Sequence, residues 1–122
     1  MSTGASLPGV GLHRRGHPPD MGWVYILLCA DGSYYVGSTI DLEQRVVSHQ
    51  LGLGAVYTRR RLPVELLWSA EFSRIEDAFW FEKQVQGWSR RKREALMAGD
   101  FPALRSLSSR SWASMRERDS ER

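Results

Sequence analysis

The sequence predicts a small α+β domain, an α/β sandwich in which helices pack around a three-stranded sheet in the order β-β-α-β-α-α-α. Three observations predict it. The stretch "WVYILLCADGSYYVGST" (residues 23–39) holds two β-branched and aromatic runs around an Asp-Gly pair, which is a hairpin pattern. A later apolar run, "VELLWSAEF" (64–72), suits a third strand added to that hairpin. Residues that favour helix starts, Asp41, Ser73, Ser89 and Asp100, each stand before a helical stretch.

The first two strands are expected at Trp23–Cys29 and Tyr34–Ser38. Their register depends on the loop between them. A two-residue Asp31-Gly32 turn would send Tyr25 and Tyr35 to opposite faces of the sheet, because side chains alternate along a strand. A three-residue loop, Ala30-Asp31-Gly32 with Gly32 left-handed, sets Tyr25 opposite Gly37 and Leu27 opposite Tyr35. Both tyrosines then share a face, and the bare Gly37 leaves room beside the Tyr25 ring for a phosphate or a water. The three-residue loop is the expectation.

Asp41 with Gln44 forms a capping box for a helix from Leu42 to about Leu51, ended by Gly52 and Gly54. The segment "GAVYTRRRLP" reads as a loop leading into the third strand, Val64–Phe72. Ser73 with Glu76 opens a helix carried from Arg74 to about Trp88. Ser89 caps the next, which stops at Gly99, and Asp100 starts a short last helix through Leu107.

The chain has 122 residues, about the length of one domain. Residues 1–21, rich in Gly, Pro, Ser and His, read as a flexible arm that cannot bury enough apolar surface to offset the entropy of ordering. Residues 109–122 read as a flexible polar tail, which leaves 22–108 as the working domain. With 17 Lys plus Arg against 14 Asp plus Glu, the net charge of +3 favours a polyanionic partner without naming one. The single cysteine, Cys29, excludes an intrachain disulfide and a multi-cysteine zinc site and is expected to be buried. No segment looks like a signal peptide or a membrane span, so a cytoplasmic protein without a membrane partner is expected.

Two helices break the apolar pattern in the same way. Leu42, Arg45, Val46 and His49 lie at i, i+3, i+4 and i+7, and Ile75, Ala78, Phe79 and Glu82 repeat that spacing. Taken singly, Arg45 and Glu82 read as edge residues with packed stems and solvated heads. Taken together, an Arg, a His and a Glu turned toward one sheet point to a shared polar pocket, since charge is costly to bury unpaired.

These residues resemble a known pattern. "WVYILLCADGSYYVG" is similar to the paired motif of the GIY-YIG nuclease superfamily, with Trp23-Val24-Tyr25 at the first half and Tyr35-Val36-Gly37 at the second. Arg45 and His49 on the first helix and Glu82 within "FEKQVQGW" fall where that superfamily places its remaining active-site residues. "YTRRRLPVELLWSAEF" and "GWSRRKREALMAGDFPALRSL" resemble a small single-domain bacterial branch, akin to the nuclease domain of the excision-repair endonuclease. Trp23 and Val24 depart from the motif at packing positions, and Gln86 stands where the small branch often has a lysine.

The resemblance implies an endonuclease that hydrolyses phosphodiester bonds, DNA being the expected polymer, with one Mg²⁺ or Mn²⁺ held by Glu82. Tyr25 would be the base, its pKa brought below the usual value of about 10 by Arg45, His49 or the metal. Tyr35 would bind the phosphate or the water, and Arg45 would neutralise phosphoryl charge. Thr58 and Arg59 are expected to contact nucleic acid because the resemblance includes that dipeptide. Arg90 and Lys92, from "SRRKR", are expected to contact phosphates, although charge runs are more often solvated faces. The competing expectation is a nucleic-acid-binding module with little activity of its own that works with a repair complex. Tyr34, Trp68, Trp80 and Trp88 read as packing residues, and His13 and His17 carry no signal.

Overall fold

A computed structural model of the chain describes residues 21–108. The expected arm, except Met21, and the expected tail lie outside the described residues, as do His13 and His17. The fold falls into two compact units, one ending at Gln84 and the other beginning at Val85.

The first unit is built on a three-stranded antiparallel sheet: β1 (Gly22–Leu28), β2 (Tyr34–Thr39) and β3 (Glu65–Phe72), in the spatial order β2-β1-β3. The hairpin loop has an odd number of residues. Cys29 pairs with Ser33 through its amide, Gly32 bonds back to the Cys29 carbonyl, and Gly32 sits at φ +85°, where only a residue without Cβ is comfortable. The register that follows puts Tyr25 opposite Gly37 and Leu27 opposite Tyr35. β1 is central and buried on both faces: Val24 and Ile26 on one, Tyr25 and Leu27 on the other. On the Tyr25 face, Leu27, Cys29 and Val64 form a core against which Leu42 and Val46 pack. β3 joins β1 with a bulge between Ile26 and Leu27, and its outer half is largely exposed.

Helix α1 (Leu42–Gln50) begins at Asp41, whose carboxylate accepts from the Gln44 amide at 3.2 Å. The expected capping box closes on one side only. Gln44 reaches forward to Ser48, and the Asp41 amide is taken by the Thr39 hydroxyl at 3.1 Å. The segment expected as a loop contains a four-residue helix, α2 (Val56–Arg59). Its return is tied down by Arg61, which bonds Asp31 in the hairpin loop at 3.0 Å and stacks 3.7 Å over the Tyr57 ring. Helix α3 (Ile75–Gln86) starts one residue later than expected, with the Arg74 carbonyl accepting from Asp77 and Ala78.

The second unit takes the last turn of α3, then α4 (Arg90–Ala98) and α5 (residues 101–108). Ser89 caps α4 by accepting from the Lys92 amide, and Gly99 closes it at φ +69°. Asp100 accepts from the Ala103 amide and opens α5.

Candidate active site

Tyr25 on β1, Tyr35 on β2 and His49 on α1 bring three rings together. Ring centroids are 6.4 Å apart for the tyrosines, 5.7 Å for Tyr25 and His49, and 5.1 Å for Tyr35 and His49. The Tyr25 hydroxyl lies 2.9 Å from His49 Nε2, and His49 Nδ1 lies 2.7 Å from Thr58 Oγ1 on α2. Thr58 donates its hydroxyl proton to the Ala55 carbonyl at 3.1 Å. Tyr25, His49 and Thr58 are all buried, at 2%, 1% and 0% exposure.

Two glycines make this packing possible. The Tyr25 ring covers Gly37, where an added Cβ would fall 2.6 Å from Cζ. The space expected there for a phosphate or a water is filled by Tyr25 itself, and the expectation is corrected. Gly54, read from sequence as a helix stop, has the same role for His49: an added Cβ would fall 2.7 Å from the imidazole Cε1. The backbone runs flat against the ring. Gly54→Ala is therefore expected to destabilise the chain by about 1–3 kcal/mol through overpacking, read by urea unfolding. A wild-type midpoint would count against this packing.

Burial sets the protonation of the cluster. Desolvation, aided by Tyr35 and Glu82, pushes the Tyr25 pKa well above its ordinary value, and Arg45 opposes this only in part. Tyr35 is raised by burial and by Glu82. The expected lowering of the Tyr25 pKa by neighbouring cations is thus overridden, because losing water costs the phenolate more than Arg45 returns.

His49 is shifted down, first by burial and then by the Arg45 charge, so it is neutral. Its lowered folded-state pKa means that the unfolded chain binds the proton first as pH falls. The His49 contribution to stability is full above the unfolded value of 6.5 and declines as pH drops below it, toward the folded pKa. The fall in unfolding free energy from about pH 7.5 to about pH 5.5 should be steeper in the wild type than in His49→Gln. Equal slopes would contradict a buried neutral imidazole.

Glu82 reaches the cluster from the other side. Ser38, the residue after Gly37, points to the opposite face of β2 and donates to Glu82 Oε1 at 2.5 Å. Gly37, which Tyr25 covers, and Ser38, which bonds Glu82, are neighbours on the edge strand β2. Glu82 is 7% exposed, and Lys83 Nζ stands 3.9 Å from its second oxygen. Its charge is felt by both tyrosines.

The remaining expected residues are placed as follows. Arg45 is exposed, as an edge residue with a solvated head would be, with its charge acting on Tyr25, Tyr35 and His49. Thr58 is fully buried, so the expectation that it contacts nucleic acid is corrected: its hydroxyl serves His49. Arg59 is exposed at the end of α2.

In the second unit, Arg90 pairs with Glu94 at 3.0 Å, and Lys92 lies 4.2 Å over the Trp88 ring, with its pKa lowered by burial. Arg93 of the same basic run donates to the Val85 and Gln86 carbonyls, which closes the C-terminal end of α3. Trp80, expected to pack, is 63% exposed. Sequence reasoning missed Ser38, Gly54 and the Thr58–His49 bond. Only the glycine left a trace, since it is a second glycine beyond the one at φ +80° that turns the chain after α1.

The GIY-YIG catalytic domain family matches residues 21–95 of this chain. A "UPF0213 protein" of Bacillus pumilus is 43% identical over 72 residues, which cover 59% of this chain and 74% of the relative. "UPF0213 protein BH0048" of Halalkalibacterium halodurans is 45% identical over 76 residues, 62% of this chain and 81% of the relative. A solution NMR structure of the UPF0213 protein BH0048 from Bacillus halodurans, 44% identical, covers 64% of this chain and 83% of its own, with a TM-score of 0.44. The fold and the match over most of the described residues define a nuclease-type catalytic domain, a class that implies binding to nucleic acid. The chain belongs to the GIY-YIG family, and its curated relatives are small proteins that carry the UPF0213 name. Among the described residues, no helix is long and apolar enough to cross a membrane.

Proposed function

We propose that the chain is a metal-dependent endonuclease that hydrolyses phosphodiester bonds in DNA, with its centre at the edge of β2. The observation that carries this reading is that the hydrogen-bonded Tyr25–His49 pair and the buried Glu82 reach neighbouring residues of β2, Tyr25 covering Gly37 and Glu82 accepting from Ser38. Tyr25 takes a proton from the attacking water. Tyr35, half-buried on the same face, holds the phosphate or that water. Arg45 and Arg59 are exposed cations: the first meets charge on the phosphoryl oxygens, and the second binds the flanking backbone. The Arg90 and Lys92 phosphate contacts belong to the same proposal, with their present partners, Glu94 and Trp88, exchanged for phosphate.

Glu82 fits a divalent cation as its one protein ligand. It is buried, one oxygen is fixed by Ser38, and a cation already lies near the other. Among the described residues there is no group of three or more His, Cys, Asp and Glu that could hold a metal, so water and phosphate oxygens would complete the coordination. An all-oxygen donor set suits Mg²⁺ or Mn²⁺. Bound there, the cation would polarise the phosphoryl group and offset charge on the leaving oxygen.

Burial favours a second reading, a nucleic-acid-binding module with little activity that works with a repair complex: Tyr25 is 2% exposed, and desolvation pushes its pKa up, against a role as base. Incubation of the full chain with end-labelled single-stranded, duplex, flapped and branched DNA and the matching RNAs, in Mg²⁺, Mn²⁺ or EDTA, separates the two. Metal-dependent cleavage of at least one DNA supports the endonuclease. Binding without cleavage across the set supports the module.

A further inference from the structure

We propose that Thr58 fixes His49 as its Nδ1–H tautomer, so that Nε2 presents a lone pair to the Tyr25 hydroxyl and receives the phenolic proton when Tyr25 takes one from the attacking water. This rests on the reading of Tyr25 as the base.

The argument is a count of protons along a buried chain. Two arrangements of neutral His49 are open. In the first, Tyr25 O–H donates to Nε2, Nδ1–H donates to Thr58 Oγ1, and the Thr58 hydroxyl donates to the Ala55 carbonyl, over 2.9, 2.7 and 3.1 Å. Every proton has an acceptor. In the second, Thr58 gives its proton to Nδ1 and Nε2–H donates to the phenol oxygen. The Tyr25 proton then has no acceptor, since among the described residues His49 is the hydrogen-bond partner of that hydroxyl. Tyr25 is 2% exposed, and a water that reached its oxygen would accept the phenolic proton instead of giving one up, so this arrangement provides no base. Leaving a buried donor unpaired is costly, which selects the first arrangement.

Thr58 is suited to this work because it has one proton and two lone pairs. Its place three residues after Ala55, in the first turn of α2, commits the proton to the helix backbone and leaves an acceptor facing His49. A carboxylate at this position would hold the same tautomer but would also favour imidazolium. A hydroxyl holds it and leaves His49 neutral, in keeping with a pKa already lowered by burial and Arg45.

The chemical consequence bears on the raised pKa of Tyr25. A buried phenol cannot wait as phenolate, so it acts by passing protons through. The O–H bond of the attacking water breaks and its proton goes to the Tyr25 oxygen. The O–H bond that Tyr25 already held breaks toward His49 Nε2, the hydroxide oxygen bonds to phosphorus, and the P–O bond to the leaving oxygen breaks, that oxygen keeping the electron pair and then taking a proton from solvent. One proton enters the pair and one moves along it. No net charge appears on Tyr25, and the positive charge rests on an imidazole held at both nitrogens. Thr58 touches neither substrate nor reacting atoms and is a positioning residue.

The test reads the tautomer directly. The chain contains three histidines, so ring-¹⁵N labelling of histidine in the full-length protein, without metal, gives three sets of signals, and His49→Gln identifies the third. The expected spectrum has His49 with protonated Nδ1 and unprotonated Nε2. Thr58→Val, close in shape but without the acceptor, should move His49 toward the Nε2–H form that free histidine prefers, and Thr58→Ser should restore the wild-type pattern. In single-turnover cleavage, Thr58→Val should lower the chemical rate by about 10- to 100-fold with substrate affinity unchanged, and Thr58→Ser should return most of it. The first readout is made on the unaltered chain, so it stands even if a variant fails to fold. An Nε2–H tautomer in a cleaving wild-type chain would overturn the role given to Thr58. The expected tautomer in a chain that cleaves no substrate would overturn the nuclease reading and the proton transfer with it.

Discussion

Replacing Tyr25 with phenylalanine is expected to lower the rate of cleavage by about 10²- to 10⁴-fold, the range that a positioned acid–base group contributes. The ring fills the space over Gly37 and packs with Leu27, Cys29 and Val64, and phenylalanine keeps both contacts. What is lost is the hydroxyl. His49 Nε2 then has no donor in a buried site, which should cost about 1–3 kcal/mol of stability. The variant must therefore be assayed below its own unfolding transition. Under those conditions affinity for nucleic acid should be nearly unchanged, because Tyr25 is 2% exposed and offers no surface to the substrate backbone. A rate within about threefold of wild type, with binding intact, would remove Tyr25 from the chemistry.

The second large effect is expected at Glu82, where glutamine is a sharper probe than alanine. Glutamine keeps an acceptor for the Ser38 hydroxyl, which donates at 2.5 Å and links α3 to the edge strand, whereas alanine leaves that hydroxyl without its partner. Glu82→Gln should thus fold like the wild type, lose at least about 10² in metal-dependent cleavage, and need more Mn²⁺ to reach half its residual rate. Removing the carboxylate also takes away one of the charges that hold the Tyr25 and Tyr35 pKa values up. If Glu82 acted only on the tyrosines, the variant would be as active as wild type or faster. The direction of the change therefore separates a metal ligand from an electrostatic neighbour.

What the sequence made legible was whatever depends on local geometry. Parity along two strands, with Asp31-Gly32 between them, was enough to argue that two tyrosines share a face only if the loop has an odd number of residues, and Tyr25 does stand opposite Gly37. Asp41, Ser89 and Asp100 cap helices through side-chain bonds reaching three residues ahead, a distance that sequence spacing encodes. His49 and Glu82, polar or charged at apolar-stripe positions, are buried with hydrogen-bond partners, as the cost of burying them unpaired requires.

The misses share a physical cause, which is that tertiary contacts outweighed composition. Thr58 stands beside three arginines in a stretch that reads as a basic loop. Only the turn through residues 51–55, which lays α2 back against α1, shows that its hydroxyl faces His49. Arg93 lies in an equally basic run, yet two backbone carbonyls claim it. Gly37 looked like vacant space because a missing side chain leaves a hole only when no neighbour fills it, and Tyr25 does. Glu82 comes from α3 to Ser38 and Tyr25 from β1 to Gly37, so no helix or strand periodicity could place them beside neighbouring residues of β2.

Phosphodiester chemistry is proposed to take place beside Gly37 and Ser38, where Tyr25 covers one residue of β2 and Glu82 accepts from the next. Mn²⁺ tests this most directly, because its unpaired electrons broaden the signals of nearby nuclei. Titrated into ¹⁵N-labelled protein with a non-cleavable phosphorothioate oligonucleotide, Mn²⁺ should erase the amide signals of Gly37, Ser38, Glu82 and Lys83 first. The same titration of Glu82→Gln should leave those signals intact over that range. Loss of signal centred on any other part of the chain, or an unaltered pattern in the variant, would contradict the claim.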